Sequence, residues 1–411
     1  MSQTPIRIAI IGMGGFAGAH HRAVQTLEQT GDARLVATCD PRADELLAAS
    51  PQLQLRERGV AIHRDLDALL AAHAGGIDLV TLPTPVPLHE PMHRTCVAHG
   101  IPVYLEKPPS LDPDELERMI ATDAAARIPT WVGFNFIRDP VRQAVKRRLL
   151  AGEFGALRMV RISASWIRTD AYYARADWAG RLLLRGRLVL DGPLGNAMAH
   201  LVHDAMHWAG PAQDAWAQVR RVRASLLCGH AIQGSDTAFV EVETNAAPVR
   251  IALTHAGGTE VGPVEELECD GAVIRLRPDQ RERVRIQRPG REDEVLLDQD
   301  GDHVVGNFRA CCALVRGGPG RPATTLADSR PFVQLNALAH MSTVRIARAP
   351  QITGTIPGIL DASARFLADG IHPREQGLSW APSPAWVEPA DLVRLRAAVD
   401  ALAGEAPAAK A

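Results

Sequence analysis

Residues 6–21 read IRIAIIGMGGFAGAHH, and this stretch decides the fold. Six residues (Ile6–Ile11), five of them apolar and most β-branched, form a strand, three glycines follow, and an Ala/His-rich helical segment begins immediately after them. Gly12, Gly14 and Ala17 stand in GxGxxA spacing. Each position has a physical reason. The first glycine permits a tight turn, the second lets backbone approach a pyrophosphate, and the alanine lets helix pack closely on strand. The helix N-terminus then offers amide donors and the positive end of its dipole to phosphate charge. Gly12, Gly14, Gly15, Phe16 and Ala17 are therefore the candidate phosphate-binding turn.

Spacing of this kind also describes an unliganded glycine turn, so the next strand matters. ARLVATCD (33–40) ends on Asp40, about where an acidic residue grips the adenosine ribose hydroxyls in NAD binders. A carboxylate there repels a 2'-phosphate, which favours NAD. Arg42, two residues on, can pair with that phosphate, which leaves NADP possible. Further outward, IDLVTL, PVYLE and TWVGF continue the series of short β-rich runs to about Phe134, with helical segments at 65–73 and 112–127 between them. Such alternation specifies an α/β domain with a parallel, doubly wound sheet over residues 1–134.

Beyond residue 150 the texture changes. ALRMVRISASW, AWAQVRRVRASLL, DTAFVEVET and VRIALTHA are consecutive β-type segments, followed by charged hairpin-like stretches to about Leu297. They predict an α+β domain over 135–350 with a mostly antiparallel, open-faced sheet. Helical patterns return at 195–208, 304–316 and 326–348. The Pro/Ala-rich residues 351–411 form an extension packed on the fold, with one more helix at 389–402.

The bulk composition narrows the function classes. A chain of 411 residues exceeds the usual size of one core, so two domains are expected. With 46% hydrophobic residues, a formal net charge of -2 and no long basic block, it lacks both a membrane-spanning run and a nucleic-acid footprint. Six scattered cysteines form no CxxC pair, and the N-terminus lacks signal-peptide features; a cytoplasmic protein with reduced thiols is expected. A small molecule is the expected partner.

At the end of the expected strand PVYLE stands Glu106-Lys107-Pro108 in GIPVYLEKPPS. Together with the glycine turn, Asp40, the run LPTPVPLHEPM, VGFN (132–135) and a later His-bearing helix, this makes the chain resemble the glucose-fructose oxidoreductase and inositol dehydrogenase (Gfo/Idh/MocA) family over most of residues 5–350. The resemblance implies an NAD(P)-dependent dehydrogenase acting on a secondary alcohol of a sugar, polyol or related carbohydrate. It implies that Lys107 reaches the nicotinamide ribose and the substrate hydroxyl, with Pro108 in the turn that aims it. Thr84, Pro85, His89, Glu106 and Asn135 then line the cofactor. It also implies a homodimer or homotetramer assembled through the open sheet face. Relatives that cleave glycosidic bonds with NAD, or that bind cofactor as inactive regulators, supply the alternative functions.

In GNAMAHLVHDAMHW (195–208) Asn196 and His200 are four residues apart and share a face of the expected helix. By resemblance the pair is usually Asp and His, with the histidine as proton acceptor. Asn196 departs from that pattern, since an amide orients an imidazole without stabilising its charge. His203 and His207 flank Asp204 in an imitation of a zinc-protease motif, but no third ligand is evident and they read as packing or interface residues. Upstream, SWIRTDAYYARADWAG concentrates Trp166, Arg168, Tyr172, Tyr173, Arg175 and Trp178 in a chain that is 4% aromatic. Aromatic faces pack on sugar C–H surfaces and arginines bind oxygen acceptors, so this loop is the candidate carbohydrate-binding element.

Overall fold

A computed structural model describes residues 4–298 and 301–405. Two compact units are present. Among the described residues, the first holds 4–110, 114–139 and 301–329, and the second holds 111–113, 140–298 and 330–405.

The first unit is built on six parallel strands: β1 (Ile6–Ile11), β2 (Ala33–Cys39), β3 (Ala61–His63), β4 (Leu79–Leu82), β5 (Val103–Leu105) and β6 (Trp131–Val132), in the order β3-β2-β1-β4-β5-β6. This is the doubly wound order whose direction reverses between β1 and β4, where ligands bind at the carboxyl edge. Five of the six strands were legible as apolar runs. The sixth, β3, has three residues, all half-buried, so it carries no apolar run to read. Asp65 caps the helix Leu66–Ala72 by accepting from the Ala68 amide at 2.7 Å.

The units depart from the expected boundaries: 135–139 group with the first unit, 111–113 with the second, and the largest departure is a later segment. Residues 301–329 belong with the first unit rather than with the sheet domain assigned to 135–350. The reason is packing: Phe308, Cys311, Cys312 and Val315 of the helix His303–Val315 share one core with Ile8, Ile10, Val24 and Tyr104. The Asn307 amide also donates to the Asn135 carbonyl at 3.1 Å.

The second unit carries a nine-stranded sheet. Its strands are β7 (Leu157–Ser165), β10 (Val219–Cys228), β11 (Thr237–Thr244), β12 (Val249–Thr254), β13 (Val261–Cys269), β14 (Val273–Leu276), β15 (Val284–Gln287), β16 (Glu294–Leu296) and β17 (Ala347–Arg348). A small hairpin of β8 (Leu183–Leu184) and β9 (Arg187–Leu188) stands apart. The order is β16-β15-β14-β13-β7-β12-β11-β10-β17, antiparallel except for the β7–β12 and β10–β17 pairs. Register assigns the faces. Glu265, Ile162, Ile251, Val240 and Ala224 lie on one side, and Glu266, Arg161, Arg250, Glu241 and Arg223 on the other.

Helix Ala199–Ala209 covers the first face, where Trp208 donates to Glu265 at 2.5 Å and Arg142 grips the same carboxylate through two bonds of 2.5 and 2.8 Å. The opposite face is less open than expected. Helix Ile359–Asp369 lies on part of it, burying Ile359, Ala362 and Phe366 in a cluster with Leu227, Phe239 and Ala252. Arg161 and Arg250 donate to the Leu367 carbonyl at its C-terminus at 2.8 and 3.2 Å. The remainder of that face is a lattice of ion pairs, among them Arg223–Glu241 at 2.6 Å and Arg161–Glu266 at 3.0 Å.

Candidate active site

In the first unit the glycine turn is held from three sides. Gly12 has φ +112°, a conformation reserved for glycine, and donates to the Cys39 carbonyl at 2.8 Å. Its carbonyl faces His21 at 3.3 Å, a ring kept neutral because burial lowers its pKa to about 4. Asp40 accepts from the amides of Met13 at 3.1 Å and Arg42 at 2.9 Å, so it braces the turn as well as presenting a carboxylate at the end of β2. The Arg42 side chain is 64% exposed and lies 3.7 Å from Glu45.

The turn fits a dinucleotide. Helix Ala17–Gln29 starts with no side-chain cap and no acidic residue in its first turn, leaving its amides for an anion. Gly15, also at positive φ, has nothing within 4 Å of where a Cβ would stand, and Phe16 beside it is 51% exposed. On the facing loop after β4, the Thr84 hydroxyl is buried without a hydrogen-bond partner among the described residues.

Around Lys107 the structure adds residues that sequence reading missed. Glu106 is buried and holds two neighbours: His20 faces its Oε1 at 2.9 Å and the Lys107 amide donates to its Oε2 at 3.1 Å. The other nitrogen of His20 faces the Thr81 hydroxyl at 3.2 Å, and its ring lies edge-on to Tyr104 and Phe308. Gly133 leaves room for this carboxylate, since a Cβ would sit 2.7 Å from Glu106 Oε1 and force one of them to shift. Lys107 itself is half-buried, and the Lys107–Pro108 peptide is cis.

Two expected cofactor contacts are placed differently. His89 is wholly buried, with Nε2 2.9 Å from the Thr84 carbonyl and Nδ1 3.1 and 3.2 Å from the Pro108 and Pro109 carbonyls. Burial lowers its pKa, and the ring lies between the β4 loop and the Lys107–Pro108 turn. The side-chain oxygen of Asn135 accepts from the Tyr104 hydroxyl at 2.8 Å, again beneath the surface. Pro85 is exposed.

In the second unit the expected helix 195–208 is broken. Residues Pro193–Ala197 form a π-helical turn, Met198 interrupts it with φ -114° and ψ 23°, and the α-helix runs only over Ala199–Ala209. The cause is crowding, since Gly195 passes the Leu190 carbonyl so closely that a Cβ would stand 2.7 Å from it. Asn196 and His200 thus belong to two segments, not to one helix face. His200 occupies the first turn of the α-helix and is half-buried. The Asn196 amide donates to Asp191 Oδ1 at 2.8 Å, and the Gly180 amide donates to Asp191 Oδ2 at 2.6 Å. Asp191 is a buried carboxylate five residues before Asn196, in the run DGPLGN.

His203 and His207 are buried against Trp216, with ring centroids 5.1 and 5.2 Å away, and burial lowers both pKa values. At the far end of the helix, buried Lys146 donates to the carbonyls of His207, Trp208 and Gly210 at 2.7, 3.0 and 2.6 Å.

The aromatic stretch forms a stacked loop around the short helix Asp170–Ala174. The Arg168 guanidinium lies 5.8 Å from the Trp166 ring and 4.8 Å from Tyr172, and Arg175 stacks between Tyr172 and Trp178 at 3.5 and 4.7 Å. Arg168 Nε and the Tyr173 hydroxyl are buried donors without an acceptor among the described residues. Behind them stands a second buried pair that the sequence did not reveal, His230 and Asp236, 2.7 Å apart.

Residues 6–134 match the model of an oxidoreductase family with an NAD-binding Rossmann fold, GFO_IDH_MocA. Over 375 residues the chain is 26% identical to D-apiose dehydrogenase of Paraburkholderia graminis, covering 85% of this chain and 93% of that protein. It is 32% identical over 156 residues to inositol 2-dehydrogenase 4 of Saccharopolyspora erythraea, covering 38% of this chain and 44% of that one. The solved WlbA dehydrogenase of Bordetella pertussis, in complex with NADH and UDP-GlcNAcA, shares the fold with a TM-score of 0.66 at 21% identity, over 82% of this chain and 96% of that one. Residues 6–134 thus belong to the Gfo/Idh/MocA family of oxidoreductases, and the chain as a whole is similar to a sugar dehydrogenase and alike in fold to another.

Proposed function

We propose that the protein is an NAD(P)-dependent dehydrogenase that interconverts a secondary alcohol and a ketone on a sugar, polyol or sugar derivative. The observation that carries the reading is the Lys107 turn: a half-buried lysine directly after β5, with its amide fixed by Glu106 and its proline turn fixed by His89. Such bracing suits a catalytic group, whose position must hold within a fraction of an ångström.

The glycine turn with Gly12, Gly14, Gly15, Phe16 and Ala17 would hold the pyrophosphate, and Asp40 the adenosine ribose, with Arg42 suited to a 2'-phosphate. Thr84 would donate its buried hydroxyl from the β4 loop. Bound NAD supplies the two-electron acceptor. The ammonium of Lys107 stabilises negative charge developing on the reacting oxygen, and an imidazole nitrogen of His200 takes the hydroxyl proton. Asn196, held by Asp191, is the orienting group where relatives carry a carboxylate. Trp166, Arg168, Tyr172 and Tyr173 would receive the sugar: the rings offer apolar faces, and two buried donors lack acceptors, a state that costs about 1–3 kcal/mol each until a ligand oxygen arrives.

The relatives named above act on apiose and inositol, which supports a small carbohydrate as substrate. Among the described residues no helix is long and apolar enough to cross a membrane. All six cysteines are unpaired and buried, which suits a reducing compartment such as the cytoplasm. The ion-pair lattice beside helix Ile359–Asp369 is the candidate surface for a homo-oligomer. A panel of D-apiose, inositol, levoglucosan and UDP-sugars, read at the NADH absorbance, tests the activity. Bond cleavage with no net NADH would favour a glycosidase, and cofactor binding without any turnover a regulator.

A further inference from the structure

The loop between β10 and β11 reads GHAIQGSD over 229–236 and brings a buried acid and a buried base together. The Asp236 carboxylate is fully buried. Its Oδ2 accepts from the Gly229 amide at 2.7 Å, the His230 amide at 2.9 Å and His230 Nδ1 at 2.7 Å, and its Oδ1 from the Thr237 hydroxyl at 3.0 Å. An ionised carboxylate only accepts, so Nδ1 carries a proton. The other ring nitrogen, Nε2, stands 2.9 Å from the backbone carbonyl of Arg168, which also only accepts. Both ring nitrogens therefore donate, as they do in an imidazolium.

We propose that His230 and Asp236 are positioning residues for the loop 166–178: the doubly donating ring ties the Arg168 carbonyl to a rigid buried carboxylate and so sets where the Arg168, Trp166 and Tyr172 side chains stand. This rests on the reading of that loop as the carbohydrate-binding element. Other bonds hold the start of this loop as well: the Trp166 amide donates to the Thr254 carbonyl at 3.0 Å and the Ile167 amide to Glu260 Oε1 at 3.0 Å. The Arg168 amide donates to the His255 carbonyl at 3.2 Å, His255 Nδ1 faces the Trp166 carbonyl at 2.8 Å, and Gly354 closes the far side so tightly that a Cβ there would lie 3.0 Å from His230 Nε2.

The charged and titratable groups facing His230 agree with a protonated ring. Burial opposes the charge, but the Asp236 hydrogen bond and carboxylate, with Asp170 beyond, outweigh it and raise the pKa above the ordinary value. His255 is kept neutral by burial, with a pKa of about 4, so it adds no positive charge near neutrality. The Tyr173 ring lies 5.0 Å away with its hydroxyl pKa raised by burial, and the Cys228 thiol donates to the His230 carbonyl at 3.1 Å. Because the folded-state pKa is raised, the clamp is complete below the ordinary histidine pKa and is lost as pH rises through the folded value.

The test uses the full chain and three readouts. Nitrogen-15 NMR of the imidazole assigned through His230→Gln should show both ring nitrogens protonated at pH 7; a neutral tautomer overturns the proposal. Limited trypsin cleavage after Arg175, normalised to an unfolded substrate, should run at least fivefold faster in His230→Gln and Asp236→Asn at pH 7, and in the unmodified chain at pH 9 relative to pH 7. Equal rates overturn it. With whichever panel sugar turns over, the variants should raise KM about tenfold while kcat changes less than twofold; a fall in kcat alone overturns it. The first two readouts need no substrate, so failure to find one leaves this inference decidable while counting against the dehydrogenase reading.

Discussion

At the scale of single residues, Glu106 shows why part of the site could be read and part could not. The Glu-Lys-Pro triplet and the glycine turn are local, so their spacing survives in the sequence. The groups that hold them are not local: His20 meets Glu106 across 86 positions, and His230 meets the Arg168 carbonyl across 62. No periodicity in one chain encodes such pairs. Gly133 links the two kinds, and Gly133→Ala should force Glu106 away from His20 and the Lys107 amide. We expect a loss of about 1–3 kcal/mol in stability by urea unfolding together with reduced turnover; a variant of unchanged stability and activity would show that the Glu106 contacts are dispensable. Asn196→Asp is the second test at this scale. It restores the residue usual in relatives but sets a carboxylate 2.8 Å from Asp191, where like charges repel. The expected outcome is lower activity at neutral pH, partly recovered in Asn196→Asp with Asp191→Asn, whereas an immediate gain would mean that Asp191 is not the orienting partner.

At the scale of elements, strands and most helices were legible because their apolar periodicity is strong, while the junctions were not. The helix expected over 195–208 breaks at Met198 because Gly195 must pass the Leu190 carbonyl, a contact from outside the segment that no helical pattern records. The end of that helix depends on Lys146, whose ammonium offers three donors to three buried carbonyls. Lys146→Met should leave those acceptors unpaired and cost about 1–3 kcal/mol, seen as a lower thermal midpoint; an unchanged midpoint would show that water replaces the lysine. The helix Ile359–Asp369 escaped sequence reading because it lies in a Pro/Ala-rich tail. Its Phe366 is fully buried against Phe239, with ring centroids 5.4 Å apart. Phe366→Ala is expected to destabilise the second unit by about 3–5 kcal/mol, measured by urea unfolding, and a loss below about 1 kcal/mol would mean that the tail is only loosely seated.

At the scale of the whole molecule, the chain hides many histidines in neutral form. His21, His255 and His340 each have a pKa lowered to about 4 by burial. In the unfolded chain they take up protons near pH 6.5, so between about pH 6.5 and 4 the unfolded state binds more protons and stability falls as pH falls. The slope is about 1.4 kcal/mol per pH unit for each such histidine, which unfolding at pH 7.5 and 5 should reveal; equal stability at both would contradict their burial as neutral rings. The parallel order of the first sheet was foreseen from strand alternation, but the return of helix His303–Val315 to that unit was not, since only its packing against a distant core places it there. The central claim is that Lys107 and His200 perform dehydrogenation on a carbohydrate with NAD held at the glycine turn. Its most direct test is NADH formation across the sugar panel by the unmodified chain, Lys107→Met and His200→Asn, with NADH binding followed by fluorescence in the same samples. We predict NADH production with at least one sugar, reduced about a hundredfold or more in both variants, while NADH binding stays within twofold in His200→Asn. Full NADH binding with no turnover of any panel member, or turnover that survives His200→Asn, would contradict it.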